Sequence, residues 1–493
     1  MSEIISDKKG AIEVLAYGDS RVRVLLGKQK RPDKDEQIRK SCFVFSMYLA
    51  GYYYLFHTLT RQILKVSPEH IEYFVGNRSF SQSVLEKEEA AFLYERRFLV
   101  PETECEDRTY LELKDILVLK EELPHAFTQY VILPTTTCNA RCFYCFEQGM
   151  RYHKMTKKTV EDTISFIIAH RPKKGEIHIH WFGGEPTCAP ENIDRICEGL
   201  REAGIEFNAE MTSNGSLFTE ELAKHASDVW KVRQIQITLD GLAEEYEKRK
   251  RYTRALKHPF ETVITGIHHL IAAGISVSVR LNVDENNIGD CFRCIDFLMK
   301  EFSEEERKKL MAYAHSLFSN QSEGPDACPV GGGSDELEEK VLEINEYLLR
   351  IGLGKDNIDR LLRLKSHYCM VTAPECNTLI DASGKLFACD AMPKDMCYGD
   401  VRKGFDPEAW KQVSAPCEVR EECRHCVFLP QCTEFDRCPN RMVFDACRRQ
   451  EERMLKSTLR YFKVVHENAL RKRAEEQPNH EKSESETEGE TGV

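Results

Sequence analysis

The sequence predicts an α/β protein, because strand-like and helix-like segments alternate through its middle part. Six candidate strands are separated by amphipathic helical segments, which is the pattern of parallel β/α units. Short polar or glycine-rich motifs follow four of these strands, where parallel β/α folds gather their chemistry. The predicted strands are residues 129–133, 177–181, 206–212, 234–239, 276–281 and 310–315.

Length and composition narrow the class of protein. A chain of 493 residues is too long for one compact core and predicts about three domains. The net charge of −12 gives no support for a nucleic-acid partner. We expect no membrane partner and a cytoplasmic protein, because no apolar window approaches the ~20 residues of a membrane span and the N-terminus does not resemble a signal peptide. In such a protein, twenty cysteines indicate metal binding rather than disulfides.

Changes in composition and in the pattern of apolar and charged residues divide the chain into seven regions. In order, they are an N-terminal arm, a small α+β module of winged-helix-like type, a barrel, a helical linker, a cysteine-rich domain, a C-terminal helix and a disordered acidic tail. Their predicted boundaries are 1–40, 41–122, 123–325, 326–366, 367–450, 451–472 and 473–493.

Three cysteines lie within eight residues just after the first predicted strand: Cys138, Cys142 and Cys145. Three thiolates bind a [4Fe–4S] cluster through three of its four irons, which leaves one iron open to bind and activate a small molecule. The alternatives are chance cysteines in a loop or a structural zinc site. Zinc prefers CxxC pairs and four ligands, and no fourth ligand lies close by. The spacing therefore indicates an open iron–sulfur cluster.

This CxxxCxxC spacing resembles the signature of the radical S-adenosylmethionine (SAM) superfamily, whose fold is a partial (β/α)6 TIM-like barrel. The turn Gly183-Gly184-Glu185-Pro186 is similar to the GGEP motif of that family. The resemblance implies that the two glycines let the backbone approach a ligand, and that Glu185 accepts a hydrogen bond from the SAM ammonium group. It also implies that Tyr144 packs against the adenine ring.

Further SAM and substrate contacts are implied after the later strands. Thr212, Ser213 and Asn214 resemble the position that contacts the SAM carboxylate and ribose. Asp240, in the sequence ITLDG, resembles a motif of SPASM-type radical SAM enzymes that lies near the substrate or ribose. Arg280 lies at the end of the fifth predicted strand, at the same end of the barrel. Asp240 and Arg280 are therefore catalytic candidates. Related sulfatase-maturating enzymes carry a SAM-binding arginine after the Asp-Gly pair. Here the candidate is Lys250, with a solvated basic helix face as the alternative.

The C-terminal cysteines resemble the ligand pattern of two auxiliary clusters in SPASM domains. The spacings up to Cys432 fit that pattern, whereas those before Cys438 and Cys447 depart from it. By this resemblance, one auxiliary [4Fe–4S] cluster is held by Cys369, Cys376, Cys389 and Cys438, and the other by Cys423, Cys426, Cys432 and Cys447. A domain with two zinc ions is the alternative. Cys397 and Cys417 remain, either as hydrogen-atom donors in catalysis or as packed side chains.

The resemblance implies a radical SAM/SPASM peptide maturase with SAM and three [4Fe–4S] clusters as cofactors. In such enzymes one electron cleaves SAM to methionine and a 5′-deoxyadenosyl radical, which abstracts hydrogen from a ribosomally made peptide. We favour oxidative thioether formation of the sactipeptide or ranthipeptide type at a cysteine of the peptide. The implied partners are a precursor peptide with a leader and an electron donor such as flavodoxin or ferredoxin. The 41–122 module either adds the leader as a strand or forms a lid.

Other outcomes stay open at the level of sequence. The same family includes carbon–carbon crosslinkers, epimerases and the anaerobic sulfatase-maturating enzymes, and fold alone does not choose among them. A non-catalytic protein, either an iron–sulfur electron carrier or a leader-binding chaperone, is the alternative from a different class. SAM cleavage separates the two classes, because a carrier has no use for an open iron beside a GGEP motif.

Overall fold

The computed structural model describes residues 7–9, 12–74, 76, 78–120, 126–145, 147, 152–253, 256–317, 334–354, 361–365, 370, 376–389, 396–415, 419–432 and 444–476. Within these ranges, the strands form three β-sheets. Every helix found there is too short or too polar to cross a membrane.

The N-terminal part consists of two antiparallel sheets and three helices. Its strands are β1 Asp7–Lys9, β2 Ile12–Ala16, β3 Gln37–Lys40, β4 Val44–Leu49, β5 Tyr52–His57, β6 Ile63–Val66, β7 Ser79–Ser81 and β8 Leu99–Pro101. Its helices are α1 Ser20–Leu26, α2 Glu88–Glu95 and α3 Glu106–Lys120. The larger sheet has the order β1–β2–β6–β5–β4, and the smaller has the order β7–β3–β8.

The predicted division between an arm at 1–40 and a module beginning at residue 41 is wrong. Strand β2 pairs with β6, and β3 is the central strand between β7 and β8, so both sheets need residues from the supposed arm. The physical reason is burial, since Ile12, Val14 and Ile38 are almost fully buried in the core of the module. Their apolar side chains have to be covered by the later strands.

The centre of the molecule is a parallel sheet of six strands that follow one another in sequence order. They are β9 Gln129–Ile132, β10 Ile177–Trp181, β11 Phe207–Ser213, β12 Val232–Thr238, β13 Ser276–Val283 and β14 Leu310–Ser316. Each neighbouring pair is parallel. The six strands predicted from hydrophobic patterning are therefore confirmed, with ends that differ by two residues at most.

Helices cover the outer face of this sheet and form the main core. They are α4 Lys157–His170, α5 Pro190–Glu202, α6 Glu220–Asp228, α7 Ala243–Lys250, α8 Pro259–Ala272, α9 Ile288–Glu301, α10 Glu304–Arg307 and α11 Asp335–Arg350. Alternate strand residues such as Ile179, Trp181 and Ile235 are fully buried in that core. Because strand side chains alternate between faces, the residues between them point to the inner face of the sheet.

The C-terminal cysteine-rich region continues the same sheet instead of forming a separate one. Its strands are β15 Asn377–Ile380, β16 Lys385–Phe387, β17 Cys397–Asp400 and β18 Gly404–Phe405, followed by the helices α12 Pro407–Ser414 and α13 Phe444–Glu476. Strand β15 pairs in parallel with β9, and the later strands pair antiparallel. The cysteine-rich strands are thus joined to the edge of the barrel sheet beside the strand that precedes Cys138.

The C-terminal helix begins earlier than predicted. Helix α13 starts at Phe444 and therefore includes Cys447, whereas the sequence placed that cysteine in the cysteine-rich domain and the helix at 451–472. Its side chains Leu455, Leu459 and Phe462 are fully buried against the larger N-terminal sheet. This apolar face explains why the segment is helical. The disordered acidic tail was predicted at 473–493, but helix α13 continues to Glu476, and residues 477–493 lie outside the described residues.

The N-terminal module packs directly on the segments around the C-terminal cysteines. Arg61 is 3% exposed, and its guanidinium donates to Leu361 O at 2.6 and 2.8 Å and to Gln431 Oε1 at 2.5 Å. Thr58 Oγ1 donates to Val427 O at 2.5 Å. A buried guanidinium needs several acceptors to offset lost hydration, so these bonds determine where the module sits.

We expect Arg61→Met to weaken this docking by about 3 kcal/mol, because the carbonyl of Leu361 and the amide oxygen of Gln431 lose a buried charged donor. The measurement is hydrogen exchange of the amides in residues 52–66 together with denaturant unfolding. Arg108→Met is the matched control, since Arg108 pairs with Glu112 on the surface with a 76% exposed side chain. If the amides of residues 52–66 exchanged equally slowly in Arg61→Met and Arg108→Met, Arg61 would not hold the module in place.

Candidate functional site

The loop with Cys138, Cys142 and Cys145 follows strand β9 at the carboxyl end of the parallel sheet. The backbone ties it to the end of helix α7: Arg141 N donates to Lys250 O at 2.9 Å, and Thr253 N donates to Asn139 O at 2.8 Å. The three thiols are partly exposed and form no disulfide. The structure therefore presents the three predicted cluster ligands on one fixed loop.

Hydrogen-bond donors surround the sulfur of Cys138. Ala140 N lies 3.4 Å and Asn214 Nδ2 lies 3.9 Å from Cys138 Sγ. Burial raises the pKa of Cys138 to about 12 and that of Cys145 to about 11. Without a bound metal these thiols are neutral, so binding an iron–sulfur cluster has to release their protons.

The Gly183-Gly184 turn supports the cysteine loop from behind. Gly183 has φ +114°, and a Cβ added to Gly184 would lie 2.5 Å from Thr136 O and 2.6 Å from Thr137 O. Gly184 N and Glu185 N also donate to the backbone of residues 135–137. In the structure both glycines lie against the segment before Cys138. Their approach to a ligand stays a prediction.

Glu185 joins the ends of strands β10 and β11. The side chain is fully buried and accepts hydrogen bonds from Thr187 N (3.1 Å), Thr187 Oγ1 (2.5 Å), Ser213 Oγ (2.8 Å) and Asn214 N (2.7 Å). Burial raises the pKa of Glu185 above its ordinary value, and these hydrogen bonds oppose the shift. The predicted bond from the SAM ammonium group would have to share a carboxylate that already has four protein donors.

Ser213 and Asn214 lie next to Glu185 and the cysteine loop, whereas Thr212 lies on the inner face of the sheet, and their predicted contacts with SAM stay predictions. Asn214 Nδ2 donates to Asn139 Oδ1 at 2.7 Å, which ties strand β11 to the cysteine loop. Thr212 points to the inner face of the sheet, where its Oγ1 lies 3.0 Å from His180 Nε2. Because side chains alternate along a strand, Thr212 and its neighbour Ser213 lie on opposite faces.

Tyr144, Asp240 and Lys250 form a buried polar group next to the cysteine loop. The Tyr144 hydroxyl donates to Asp240 Oδ2, and Lys250 Nζ donates to Tyr144 Oη at 2.9 Å and lies 3.5 Å from Asp240 Oδ2. The side chain of Lys250 is 3% exposed. Burial disfavours its charge, but the Asp240 carboxylate holds the pKa of Lys250 above its usual range.

These contacts show which of the basic residues after Asp240 are buried and which belong to a solvated helix face. Lys250 is buried and faces Asp240, whereas Lys248 has a 71% exposed side chain and belongs to the solvated face of helix α7. Arg249 is also buried, and it pairs with Glu245 and Asp284. The sequence analysis missed Arg249. The acidic residues Asp284 and Glu285, just after strand β13, could have indicated a partner for a buried cation.

Arg280 lies on the inner face of strand β13, which continues three residues beyond it to Val283. Its Nε donates to Asn282 Oδ1 at 2.9 Å, and Asn282 N donates to Asp240 Oδ1 at 3.2 Å. Arg280 is therefore linked to the Asp240 group through Asn282. The sequence analysis did not consider the other inner-face residues, although the alternating His178 and His180 in strand β10 were a visible signal.

The described C-terminal cysteines lie on several different segments. Cys376 and Cys389 are buried at the ends of β15 and β16, and Cys423, Cys426 and Cys432 lie on the loop that packs against the N-terminal module. Cys397 is the first residue of β17, where it packs near Leu379 and Phe387. Cys369, Cys417 and Cys438 lie outside the described residues. Among the residues that the structure describes, no three metal-ligating side chains surround a single-ion site. The two auxiliary clusters remain predictions.

The fold and the three-cysteine loop define a parallel β/α partial barrel with a cysteine centre at the carboxyl ends of its strands. Residues 132–298 match the profile of the Radical SAM superfamily. This segment contains strands β10 to β13, the cysteine loop, the GGEP turn and Asp240. The chain therefore contains a radical SAM domain, and members of that superfamily use SAM and a [4Fe–4S] cluster.

Two examples from the curated relatives show how far the similarity extends. Fe-coproporphyrin III synthase of Methanosarcina barkeri is 26% identical over 187 residues, which are 38% of this chain and 43% of that protein. GTP 3′,8-cyclase of Rhizobium leguminosarum bv. trifolii is 27% identical over 235 residues, which are 47% of this chain and 60% of that protein. The chain thus spans about half the length of the curated relatives it matches.

A solved structure extends the similarity of fold. Native anSMEcpe with bound AdoMet and the Kp18Cys peptide aligns with a TM-score of 0.52 at 16% identity, covering 69% of this chain and 99% of that chain. The same protein with bound AdoMet alone also aligns, with a TM-score of 0.52. At this identity the similarity concerns the fold.

We expect Gly184→Ala to displace the cysteine loop, because the new methyl group would overlap two backbone carbonyls that cannot move independently. Gly289→Ala is the matched control, since nothing lies within 4 Å of its added Cβ and alanine favours a helix by up to about 1 kcal/mol. The measurement is the iron bound after anaerobic reconstitution and the free energy of unfolding. Wild-type iron binding in Gly184→Ala would show that the turn does not support the loop.

Proposed function

We propose that this protein is a radical SAM enzyme that oxidises a ribosomally made, cysteine-containing peptide and joins a cysteine sulfur to a carbon atom as a thioether. The observation that carries the proposal is the loop of Cys138, Cys142 and Cys145, held by the GGEP turn and by the Tyr144–Asp240–Lys250 group at the carboxyl ends of the strands. An electron carrier needs neither a three-thiol loop nor a buried cation next to it.

The donor set fits a [4Fe–4S] cluster with one open iron. Cys138, Cys142 and Cys145 would provide the three thiolates, and the N–H groups of Ala140 and Asn214 are placed to stabilise the thiolate of Cys138. When bound, the cluster supplies the electron that cleaves SAM to methionine and a 5′-deoxyadenosyl radical. The role of the protein is to position SAM and peptide and to exclude water.

For SAM binding, we propose Lys250 as the partner of the carboxylate. Its ammonium group is buried next to the cysteine loop and is oriented by Tyr144 and Asp240. Ser213 and Asn214 flank the same loop and would contact the ribose or carboxylate, and Tyr144 would border the adenine. Gly183, Gly184 and Glu185 act in this proposal by holding the loop in place.

Several features support a peptide substrate. The anSMEcpe structure, similar in fold, contains both AdoMet and a peptide. The N-terminal module has a three-stranded sheet whose outer strands β7 and β8 are short edge strands, and an extended leader peptide can bind by adding a strand to such an edge. The module packs through Arg61 on Leu361 and Gln431 beside the C-terminal cysteines, and the C-terminal strands continue the barrel sheet, so a bound leader would place the rest of the precursor near the barrel.

The oxidation of a peptide needs an acceptor for one electron after the hydrogen atom has left. We propose that the C-terminal cysteines, in the ligand sets given above, hold two auxiliary clusters that serve as this acceptor. An external donor such as flavodoxin or ferredoxin would supply the first electron. Epimerisation would instead return a hydrogen atom, for which Cys397 or Cys417 is the candidate donor.

We expect the anaerobically reconstituted chain to bind about twelve irons and to cleave SAM, by the arithmetic of three cubane clusters. Replacing Cys138, Cys142 and Cys145 together by Ala should remove about four irons and abolish 5′-deoxyadenosine formation. Cys105→Ala, which changes an exposed cysteine, is the control and should change neither. Binding of zinc in place of iron would refute the assignment.

Mass spectrometry of the modified precursor tests the thioether. Joining two substrate atoms removes two hydrogens, so each crosslink should lower the mass by about two daltons and remove one alkylatable thiol. An unchanged mass with one deuterium gained in heavy water would indicate epimerisation. A loss of two hydrogens with every thiol still free would move the new bond to carbon.

A further inference from the structure

The inner face of the parallel sheet carries a continuous row of polar side chains on strands β10 and β11. Ile177, Ile179 and Trp181 of β10 are buried against the helices, so His178 and His180 point the other way. On β11, Asn208, Glu210 and Thr212 occupy the equivalent inner positions, and the two strands pair in register. From the carboxyl ends of the strands towards their amino ends, the row consists of Thr212, His180, Glu210, His178 and Asn208.

The distances make this row a chain of interacting groups. His180 Nε2 lies 3.0 Å from Thr212 Oγ1, and His180 Nδ1 lies 3.7 Å from Glu210 Oε1. The same Glu210 oxygen lies 3.6 Å from His178 Nε2, while His178 Nδ1 is hydrogen-bonded to Asn208 Oδ1. One carboxylate oxygen is therefore shared between two imidazoles, at ion-pair rather than direct hydrogen-bond distances.

The Thr212 end of this row lies next to the cysteine loop and the proposed SAM site. Thr212 directly precedes Ser213 and Asn214, which bind Glu185 and the cysteine loop. His180 is one residue before Trp181 at the end of strand β10. The side chains of His178, His180 and Glu210 are 28–40% exposed, so a substrate placed in the barrel can reach them.

An imidazole next to a carboxylate is an acid–base pair suited to neutral pH. Glu210 and Asn208 raise the pKa of His178, and Glu176 just before the strand acts in the same direction. Across the sheet, the inner face also carries Arg280, Tyr313 and His315. Asn208 accepts from His178 Nδ1, which leaves His178 Nε2 facing the carboxylate.

A metal-binding role is not favoured for this row. The two imidazole nitrogens and the carboxylate oxygen could suggest a two-histidine, one-carboxylate site. However, among the described residues no such group has the arrangement of a metal site. The second ring nitrogen of each histidine has its own polar neighbour on β11, which suits a chain of proton carriers.

We propose that His180 is the proton acceptor for the thiol of the peptide substrate and that Glu210 is the positioning residue that stabilises the resulting imidazolium. This inference rests on the proposed thioether formation and deepens it. In the step, the S–H bond breaks, its electron pair stays on sulfur, and the proton moves to His180. No electron leaves the pair, so the step needs no oxidant. His178 and Asn208 continue the row away from the reacting group.

The peptide thiol needs a base because it is mostly protonated at neutral pH. A cysteine thiol has a pKa near 8.5 in water, and the desolvated interior of a barrel raises it further. A thiolate is the better partner for bond formation, so the reaction gains from a base at the place where the sulfur binds. The buried Lys250 is less suited to this role, because its ammonium group already contacts Asp240 and Tyr144.

The test compares His180→Gln, Glu210→Gln and Glu210→Asp in the full chain, with Glu206→Gln as control at the exposed start of the same strand. We expect His180→Gln to lower product formation by about 10²-fold, the usual effect of losing a general base, while 5′-deoxyadenosine formation persists. The acid limb of the pH–rate profile should disappear in His180→Gln and move to lower pH in Glu210→Gln. Glu210→Asp should retain most of the wild-type rate.

A second measurement does not depend on catalysis. NMR titration of the histidine rings in the cluster-free chain should show the pKa of His178 falling in Glu210→Gln, because the carboxylate that favours its charged form is gone. An unchanged titration in Glu210→Gln would overturn the pairing, even if wild-type enzyme forms no crosslink. Wild-type product formation with an unaltered acid limb in His180→Gln would overturn the role of His180. Absence of crosslinks in wild-type enzyme that cleaves SAM would instead contradict the proposed function.

Discussion

The buried carboxylate of Glu185 holds the upper rim of the barrel together. It follows strand β10, accepts from the end of strand β11, and is preceded by two glycines that press against the segment before Cys138. A carboxylate removed from water is costly unless donors surround it, so this group can exist only when both strand ends and the turn are in place. Its four hydrogen bonds thus make the position of the cysteine loop a consequence of correct folding.

Asp240 has the same function on the other side of the rim. It is fully buried, and it bonds Tyr144 of the cysteine loop, the backbone of Asn282 and the ammonium of Lys250. Asn287 completes the arrangement by donating to the carbonyls of Asp240 and Asn282. The two carboxylates therefore hold the loop from opposite directions, and a cluster bound by the three thiols would meet a rigid frame on both sides. Such rigidity is what positioning of a reactive radical requires.

Sequence patterns predicted the parts of this architecture that depend on local periodicity. The six parallel strands and the motifs at their ends follow from alternation and turn chemistry. Pairing between distant segments could not be predicted in this way. Nothing in the sequence around β2 or β15 shows that the first joins β6 and the second joins β9, because any apolar strand can complete any open edge.

The site divides along the same line. The loop of Cys138, Cys142 and Cys145 could be identified as a candidate cluster site from its spacing alone, whereas Lys248 and Lys250 are chemically identical and two residues apart. Only the direction in which helix α7 faces the barrel makes one of them a buried partner of Asp240 and the other a surface charge. The inner face of the sheet follows similar logic. His178 and His180 alternate with isoleucines, which predicts that they share a face, but the sharing of the Glu210 carboxylate between them depends on the register of β10 against β11. A site built across strands is therefore specified by pairing, and pairing is set by the whole core.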